Sequence, residues 1–187
     1  MRFGTTPSQT VGPYFAIGLP FETGPHAVAP GSPGAFTISG TVYDGAGEPV
    51  PDNLIETWQA DPEGHFADLH GHGGPSRLEG FRGFARSGHE VGDGSWQILT
   101  VKPGPVPDSA GVMQAPHIAV SVFARGMLDR CVTRIYFADE GEANATDPVL
   151  SSVPEQRRDT LLARPVPDGY RFDIRLQGAG ETVFFAV

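Results

Sequence analysis

Short hydrophobic segments separated by glycine and proline dominate the chain, and their periodicity predicts strands. The segment FTISGTVYD at 36–44 alternates apolar and polar positions, which is the pattern of a half-buried strand. The run from Ile118 to Phe123 is continuous, apolar and rich in β-branched residues, so it is typical of a buried strand. Similar patterns predict further strands at 53–61, 95–104 and 130–137, and a C-terminal hairpin formed by 170–177 and 182–187.

Helical periodicity is confined to one segment. Residues 154–163 (PEQRRDTLLA) fit a short helix, with Pro154 in its first turn and Ser151 or Ser152 as its cap. About seven or eight mostly antiparallel strands, one short helix and long loops therefore predict an all-β chain folded as a β-sandwich.

Two long stretches lack regular periodicity. Residues 1–35 contain several glycines and prolines, and we expect an extended N-terminal arm that contacts a partner or an active site. The sandwich would then occupy residues 36–187. Within it, residues 62–88 predict a long loop, and loops of this length inside a compact domain are usually functional or disordered.

Composition narrows the class of protein. A chain of 187 residues fits one domain with arms. Its only cysteine, Cys131, cannot form an intrachain disulfide, which favours a reducing compartment such as the cytoplasm. The N-terminus has no apolar core of signal-peptide length, and no run of 18 apolar residues predicts a membrane span. A net charge of −9 argues against nucleic acid or anionic membranes as partners.

Three histidines, His65, His70 and His72, lie close together in the long loop, with carboxylates nearby. Imidazole and carboxylate ligands suit zinc or iron, so one hypothesis is a metal site in this loop. The alternative is a solvated, glycine-rich loop, because ligands on a flexible segment without supporting contacts bind metal weakly.

A fourth histidine, His117, precedes the predicted strand Ile118–Phe123. A metal would need a second ligand on the same face, and the residue two positions on is Ala119, which cannot ligate. A structural, hydrogen-bonded role is the alternative interpretation of His117.

Segments distributed over nearly the whole chain resemble the intradiol ring-cleavage dioxygenases. Each fragment alone is a weak signal, whereas their combination is highly specific. The matching segments are TPSQTVGPYF at 6–15, GTVYDGAGEPVPD at 40–52, WQADPEGHF at 58–66, TVKPG at 100–104, APHIAVSVFARG at 115–126, TRIYFADE at 133–140, ANATDPVL at 143–150 and YRFDIRLQGAGETVFF at 170–185.

The resemblance implies a β-sandwich, and in catalytic members a ferric ion held by two tyrosinates and two histidines. At the corresponding positions this chain has Phe66, Val106, His117 and Ala119. Only the histidine at 117 matches, so the resemblance implies a vestigial site that binds no iron. His117 is then expected to be a relic of that site with a structural hydrogen bond.

Some members of the family pair an iron-bearing chain with an iron-free homologue. The resemblance is closest to the iron-free type. It implies an oligomer of such pairs, with Fe³⁺ in the partner chain and no metal or catalytic residue in this one. The whole complex would cleave a small aromatic substrate, 3,4-dihydroxybenzoate, with O₂ to give 3-carboxy-cis,cis-muconate.

The same resemblance implies that this chain helps to shape the partner's substrate pocket. The residues carried over are Thr10, Gly12, Pro13, Tyr14 and Arg125. A guanidinium suits the ring carboxylate, and a threonine hydroxyl can bind the same group. The alternatives are a solvated charge for Arg125 and interface packing for Tyr14.

Two rival functions remain open from the sequence. One is a structural adaptor that makes no substrate contact. The other is a self-contained metal enzyme that uses the three loop histidines. The first predicts that changes at the substrate-contact residues leave turnover intact, and the second predicts metal in the isolated chain.

Overall fold

Strands make up most of the regular structure in this computed structural model, which describes residue 12 and residues 14–67, 76–88 and 93–186. The strands are β1 (Phe36–Tyr43), β2 (Leu54–Trp58), β3 (Phe84–Ser87), β4 (Ser95–Thr100), β5 (Val106–Pro107), β6 (Met113–Gln114), β7 (His117–Phe123), β8 (Cys131–Phe137), β9 (Leu162–Val166), β10 (Gly169–Arg171) and β11 (Ile174–Arg175).

The helices in the described ranges are short. They are α1 (Phe15–Gly18), α2 (Gly141–Thr146), α3 (Pro148–Ser152) and α4 (Glu155–Arg158), and a 3₁₀ turn at Asp159–Leu161 follows the last of them. None of the helices in these ranges is long and apolar enough to cross a membrane.

One continuous path of paired strands connects the two layers of the fold. The order is β11-β1-β10-β9-β8-β7-β2-β3, and β4 pairs with the other side of β1. Most pairs are antiparallel, but β1 runs parallel to β10 and β11, and β8 runs parallel to β9. Because apolar side chains of β1 and β4 share one core with those of β2, β7 and β8, the two halves of this path pack face to face.

Strand β7 lies near the middle of the second layer, and its two faces have different roles. Ile118, Val120 and Val122 are buried in the main core, whereas His117 and Ala119 alternate with them on the opposite face. Each fully buried aliphatic side chain contributes about 1.5–3 kcal/mol through removal from water. The core thereby fixes the register that presents His117 and Ala119 on the other side.

A second, smaller core lies on the outer side of β8. It contains Tyr136, which is fully buried, and side chains from α3 and from the 3₁₀ turn: Leu150, Val153 and Leu161. The helices therefore cover the face of the sheet that carries His117, and they exclude water from this end of β7.

Two glycines allow strands to approach closely. A Cβ atom at Gly40 would overlap the Phe172 carbonyl oxygen, and one at Gly169 would overlap the Thr37 carbonyl oxygen. Gly169 also has a φ of +140°, which side-chain-bearing residues rarely adopt. Both positions bring the segment from Gly169 to Phe172 against β1, so this close approach requires glycine at each of them.

The all-β, sandwich-like fold predicted from the sequence is confirmed. The strands predicted at 36–44, 53–61, 95–104, 118–123 and 130–137 all exist, with ends that coincide or are displaced by up to four residues. The described residues contain eleven strands rather than seven or eight, because β3 lies inside the predicted long loop and several additional strands are very short.

The predicted C-terminal hairpin is wrong. Residues 170–177 divide into parts of β10 and β11, which both pair with β1, and residues 182–186 form no strand. The final segment instead crosses β8, where the Val183 carbonyl accepts from the Thr133 hydroxyl and the Phe185 amide donates to the Val132 carbonyl. The chain does turn back after β11, where the Thr182 amide donates to the Arg175 carbonyl at 3.0 Å, but the strand pairing is made with β1, more than 100 residues away.

The single predicted helix is also wrong in number and extent. Four α-helices occur in the described residues, and the helix predicted at 154–163 covers only Glu155–Arg158 before the 3₁₀ turn and β9. The serines at 151 and 152 belong to α3 and do not cap α4, whose N-cap is Pro154. Burial of Leu161 and pairing of β9 with β8 override the helical periodicity.

The described part of the N-terminal segment runs along the sandwich. Ala27 and Val28 are buried, and the Arg82 guanidinium donates to the Thr23 and His26 carbonyls. Nearer the N-terminus, the Arg86 guanidinium donates to the Leu19 carbonyl at 3.0 Å. The segment is therefore held in place by arginines of the sandwich, and the division at residue 35 stays a prediction.

Candidate functional site

Four positions that the sequence associated with a vestigial metal site surround one small cavity. Phe66, Val106, His117 and Ala119 line it, together with Trp58, Gln59, Ala60 and Gly104, and its volume is about 50 Å³. The rings of Trp58 and Phe66 are stacked 6.0 Å apart and nearly parallel. The structure thus brings together four predicted positions that are up to 53 residues apart in the sequence.

Hydrogen bonds from backbone amides to Asp61 hold the loop that carries Phe66. The Asp61 carboxylate accepts from the amide of His65 at 2.8 Å, and the Asp61 carbonyl accepts from Gly104 at 2.8 Å. Gly64 has a φ of +84°, and a Cβ there would lie 2.6 Å from the Pro105 carbonyl oxygen. The turn therefore packs tightly against the segment preceding Val106, and this contact closes the cavity from one side.

His117 is the only one of the four positions with a metal-binding side chain type. Its Nδ1 atom lies 2.8 Å from the Ala115 carbonyl, and because a carbonyl only accepts, Nδ1 is the donor. Burial lowers the pKa of His117, and the nearby charge of Arg134 adds to this effect. The imidazole is therefore held neutral by its surroundings.

A hydrogen-bonded network forms the wall beside His117. Arg134 is the cross-strand partner of Ala119, and its Nη1 atom donates to Gln114 Oε1 at 2.7 Å. The hydroxyl of Tyr136 donates to Asp147 Oδ1 at 3.0 Å, and burial raises the pKa of this tyrosine. A guanidinium charge thus lies next to Ala119, on the wall that also carries His117.

Asp147 connects this network to the backbone. Its side chain is fully buried and accepts from the amides of Ala115 at 2.8 Å and Leu150 at 2.6 Å, as well as from Tyr136. It is also the N-cap of α3. One carboxylate therefore fixes the helix start, the buried tyrosine and the segment that leads into His117.

The donor set around the cavity does not fit ferric iron. Fe³⁺ is a hard cation that favours anionic oxygen, and the four positions supply one neutral imidazole, a phenyl ring and two aliphatic side chains. The guanidinium of Arg134 adds positive charge at the same wall. The four positions therefore provide too few ligands for ferric iron, and none of these ligands is an anionic oxygen.

The histidine loop is described only in part. His65 has a side chain 43% exposed, and its Nδ1 atom lies 3.8 Å from Asp61 and 3.7 Å from Glu63. His70 and His72 lie outside the described residues, so the proposed three-histidine site stays a prediction.

Arg125 lies beyond the other end of β7. Since β7 has seven residues at about 3.3 Å each, Arg125 is roughly 20 Å or more from the cavity. Its side chain is 63% exposed, and its Nε atom forms an ion pair with Asp52 Oδ2 at 3.1 Å. Asp52 Oδ2 has no hydrogen-bond partner among the described residues, so its contact with Arg125 is an ion pair without hydrogen-bond geometry.

The other predicted substrate-contact residues belong to the N-terminal segment. Gly12 and Tyr14 are exposed, Tyr14 to 80%, and neither lines the cavity. Thr10 and Pro13 lie outside the described residues. Three neighbouring apolar side chains are also exposed: Ile17, Leu19 and Phe21.

Sequence reasoning missed the network of Arg134, Tyr136 and Asp147. Arginine and tyrosine on a strand resemble ordinary solvent-facing residues, so their pattern gave no signal. A signal did exist at Asp147-Pro148, because an aspartate followed by proline is typical of a helix N-cap and first turn.

A comparison with protein families decides the class. A family model described as "Dioxygenase" matches residues 11–178. The chain belongs to the intradiol dioxygenase family. The resemblance noted from the sequence is thereby confirmed.

Curated relatives include both chain types of one dioxygenase. The protocatechuate 3,4-dioxygenase alpha chain of Pseudomonas putida is 45% identical over 96% of this chain and 95% of its own length. The alpha chain from Burkholderia cepacia is 45% identical, with 97% coverage of each chain. The beta chain from Burkholderia cepacia is 32% identical over 79% of this chain and 66% of its own length.

A solved structure supports the same assignment. The dioxygenase domain of a dioxygenase carbohydrate-binding protein fusion from Streptomyces sp. SirexAA-E is 25% identical, with a TM-score of 0.55. The match covers 93% of this chain and 100% of that one. The intradiol dioxygenase fold therefore spans nearly the whole of the present chain.

Proposed function

We propose that this chain is the iron-free subunit of a two-chain intradiol dioxygenase that acts on 3,4-dihydroxybenzoate. The observation that carries the proposal is the cavity beside β7. The chain has the family's fold, but Phe66, Val106 and Ala119 occupy three of the four cavity positions that the resemblance associates with the metal. The likeness to two alpha chains of protocatechuate 3,4-dioxygenase supports the same conclusion.

In this proposal a homologous partner chain holds the iron, and pairs of the two chains assemble into a larger oligomer. The complex cleaves the bond between the two hydroxylated ring carbons, adds one atom of O₂ to each of them, and yields 3-carboxy-cis,cis-muconate. The iron, when bound in the partner, supplies the activation of the catecholate toward O₂. The present chain contributes residues beside the partner's iron site that bind and orient the substrate.

Arg125 is the residue we assign to the substrate carboxylate. Its ion pair with Asp52 uses Nε, and no hydrogen bond within the described residues uses its two terminal amino groups. A guanidinium has five N–H donors, so a second carboxylate can bind on the free side of the fork. Fixing the carboxylate would orient the ring, and orientation alone can contribute several kcal/mol to catalysis.

The exposed N-terminal segment is assigned to the partner contact. Tyr14, Ile17 and Leu19 expose apolar surface within six residues, and the Arg86 guanidinium holds this segment against β3. Exposed apolar surface of this kind is typical of protein interfaces. Thr10, Gly12 and Pro13 would approach the substrate from the same segment.

The test is steady-state kinetics of the assembled complex with Arg125→Gln. We expect KM for 3,4-dihydroxybenzoate to rise about 10- to 100-fold, because a hydrogen bond to a charged group is worth about 1.5–3 kcal/mol. KM for catechol, which has no carboxylate, should change by less than about twofold, within the range of surface substitutions.

Two matched variants control this experiment. Arg130→Gln removes the same charge from an exposed position near Arg125 and should leave both substrates unaffected. Asp52→Asn removes the competing carboxylate and should not raise KM. Equal losses on both substrates in Arg125→Gln would refute the carboxylate role while leaving the subunit assignment intact.

The rival functions give different outcomes. An adaptor without substrate contacts predicts normal kinetics for every variant of Arg125 or Tyr14 that still assembles. A metal enzyme based on His65, His70 and His72 predicts metal in the purified chain alone, lost in His70→Ala. A cytoplasmic location is part of our proposal and is supported by the single cysteine.

A further inference from the structure

A groove separate from the cavity beside His117 is lined by three arginines. Its volume is about 450 Å³, and its lining includes Arg164 of β9, Arg171 of β10 and Arg175 of β11. This volume is in the range of small-molecule sites. The cavity beside His117 shares no residue with it.

The register of the strands places like charges side by side. Arg164 lies directly opposite Arg171 in the antiparallel pair β9–β10. Residues in this relation have Cβ atoms about 4.5–5.5 Å apart, and like charges there are destabilising. Both guanidinium groups can therefore reach one bound anion, which would relieve their repulsion.

The carboxylates in the groove offset only part of this charge. Asp159 lies 3.2 Å from Arg164, but both side chains of this pair are largely exposed, so the pair is weak. Asp173 lies 2.6 Å from Arg171. Arg175 stacks over the Tyr43 ring at 4.8 Å, and no carboxylate of the described residues lies within ion-pair distance of it.

Three guanidinium groups and two carboxylates leave the groove with one excess positive charge, in a chain whose net charge is −9. A locally positive groove attracts anions even though the chain as a whole is negatively charged. The groove also has apolar lining from Leu162, Val166 and Phe172. A ligand that suits both features has several carboxylates on a short carbon chain.

We propose that this groove binds a small organic polycarboxylate. Arg164 and Arg171 would bind one carboxylate from adjacent strands, because guanidinium and carboxylate match as two parallel hydrogen bonds. Arg175 would bind a second carboxylate while its ring contact with Tyr43 keeps it oriented. The carbon chain would lie against Val166 and Leu162. This inference does not depend on the proposed function.

The experiment is calorimetric titration of the assembled complex with propane-1,2,3-tricarboxylate. We expect one site per copy of this chain, with affinity falling about tenfold or more in Arg164→Gln and in Arg175→Gln, as for loss of a charged hydrogen bond. Arg164 is exposed and has one weak partner, so its variant should fold normally. Arg130→Gln, an exposed charge outside the groove, should bind as the unaltered complex does.

Two further titrations separate the ligand classes. Glycerol has the same carbon chain without charge and should not bind. Inorganic phosphate should bind at least tenfold more weakly than the tricarboxylate, because it leaves the apolar lining uncovered. Absence of tricarboxylate binding, equal affinity for phosphate, or equal affinity in Arg130→Gln and Arg164→Gln would each overturn the proposal.

Discussion

Replacing Asp147 by asparagine removes one acceptor oxygen from a fully buried side chain while keeping its shape. Three donors depend on the carboxylate: the Ala115 amide on Oδ2, and the Leu150 amide and the Tyr136 hydroxyl on Oδ1. An asparagine has one oxygen, so its best orientation keeps the two donors at Oδ1. Its NH₂ group then faces the Ala115 N–H, and two donors meet.

The size of the effect follows from these contacts. The Ala115 amide loses a hydrogen bond to a charged group, worth about 1.5–3 kcal/mol, and remains buried without a partner. The two remaining bonds become neutral and weaken. We therefore expect local stability around residues 115–120 and the start of α3 to fall by about 2–3 kcal/mol, which corresponds to a ~30- to 150-fold faster exchange of the amides.

Hydrogen exchange with mass spectrometry on the assembled complex measures this directly. Peptides that span residues 115–120 should lose protection, while peptides from β1 should not. Asp159→Asn is the matched control, because Asp159 is 74% exposed in a surface pair and its loss should cost less than about 1 kcal/mol. Unchanged exchange at 115–120, or the same change in both variants, would refute the assignment of Asp147 as the organising residue.

Three further predictions concern other parts of the fold. Because burial and Arg134 lower the pKa of His117, the unfolded chain binds its proton more readily, so stability should fall as pH drops below about 6.5, and urea unfolding of His117→Gln should show a weaker pH dependence. Gly40→Ala should prevent stable folding, because its Cβ meets the Phe172 carbonyl, whereas Gly141→Ala, with open space, should be neutral in expression and thermal unfolding. Ile17→Asp should weaken assembly with the partner chain by about tenfold or more in analytical ultracentrifugation, and unchanged assembly would remove the N-terminal segment from the interface.

The sequence predicted the strands whose pairing is reinforced by a strong local pattern. β1 and β7 alternate or run apolar over seven or eight residues, and the structure has them within one residue of the prediction. β9 was missed because LLARPV follows a helical pattern and contains a proline. Its strand conformation depends on parallel pairing with β8, which no local pattern encodes.

The residues around the cavity beside β7 also fall into two groups: those that the sequence indicated and those that it missed. The prediction named Phe66, Val106 and Ala119 because family motifs carry their positions, whereas periodicity alone places only His117 and Ala119 on one face. Arg134 was missed because a polar residue in a strand is ordinarily solvated. Its role follows from the cross-strand register with Ala119, and register is a tertiary property.

The contacts that hold the cavity beside β7 also explain how its lining side chains can vary without loss of the fold. Backbone amides hold the walls: the Gly104 amide donates to the Asp61 carbonyl on one side, and the Ala115 amide donates to the Asp147 carboxylate on the other. Neither contact uses the side chain of Phe66, Val106 or Ala119. Substitutions at those positions therefore change what the cavity can bind while the loops and strands around it keep their places. In our proposal, an iron-free homologue of an iron-bearing chain keeps in this way the surfaces by which it assembles.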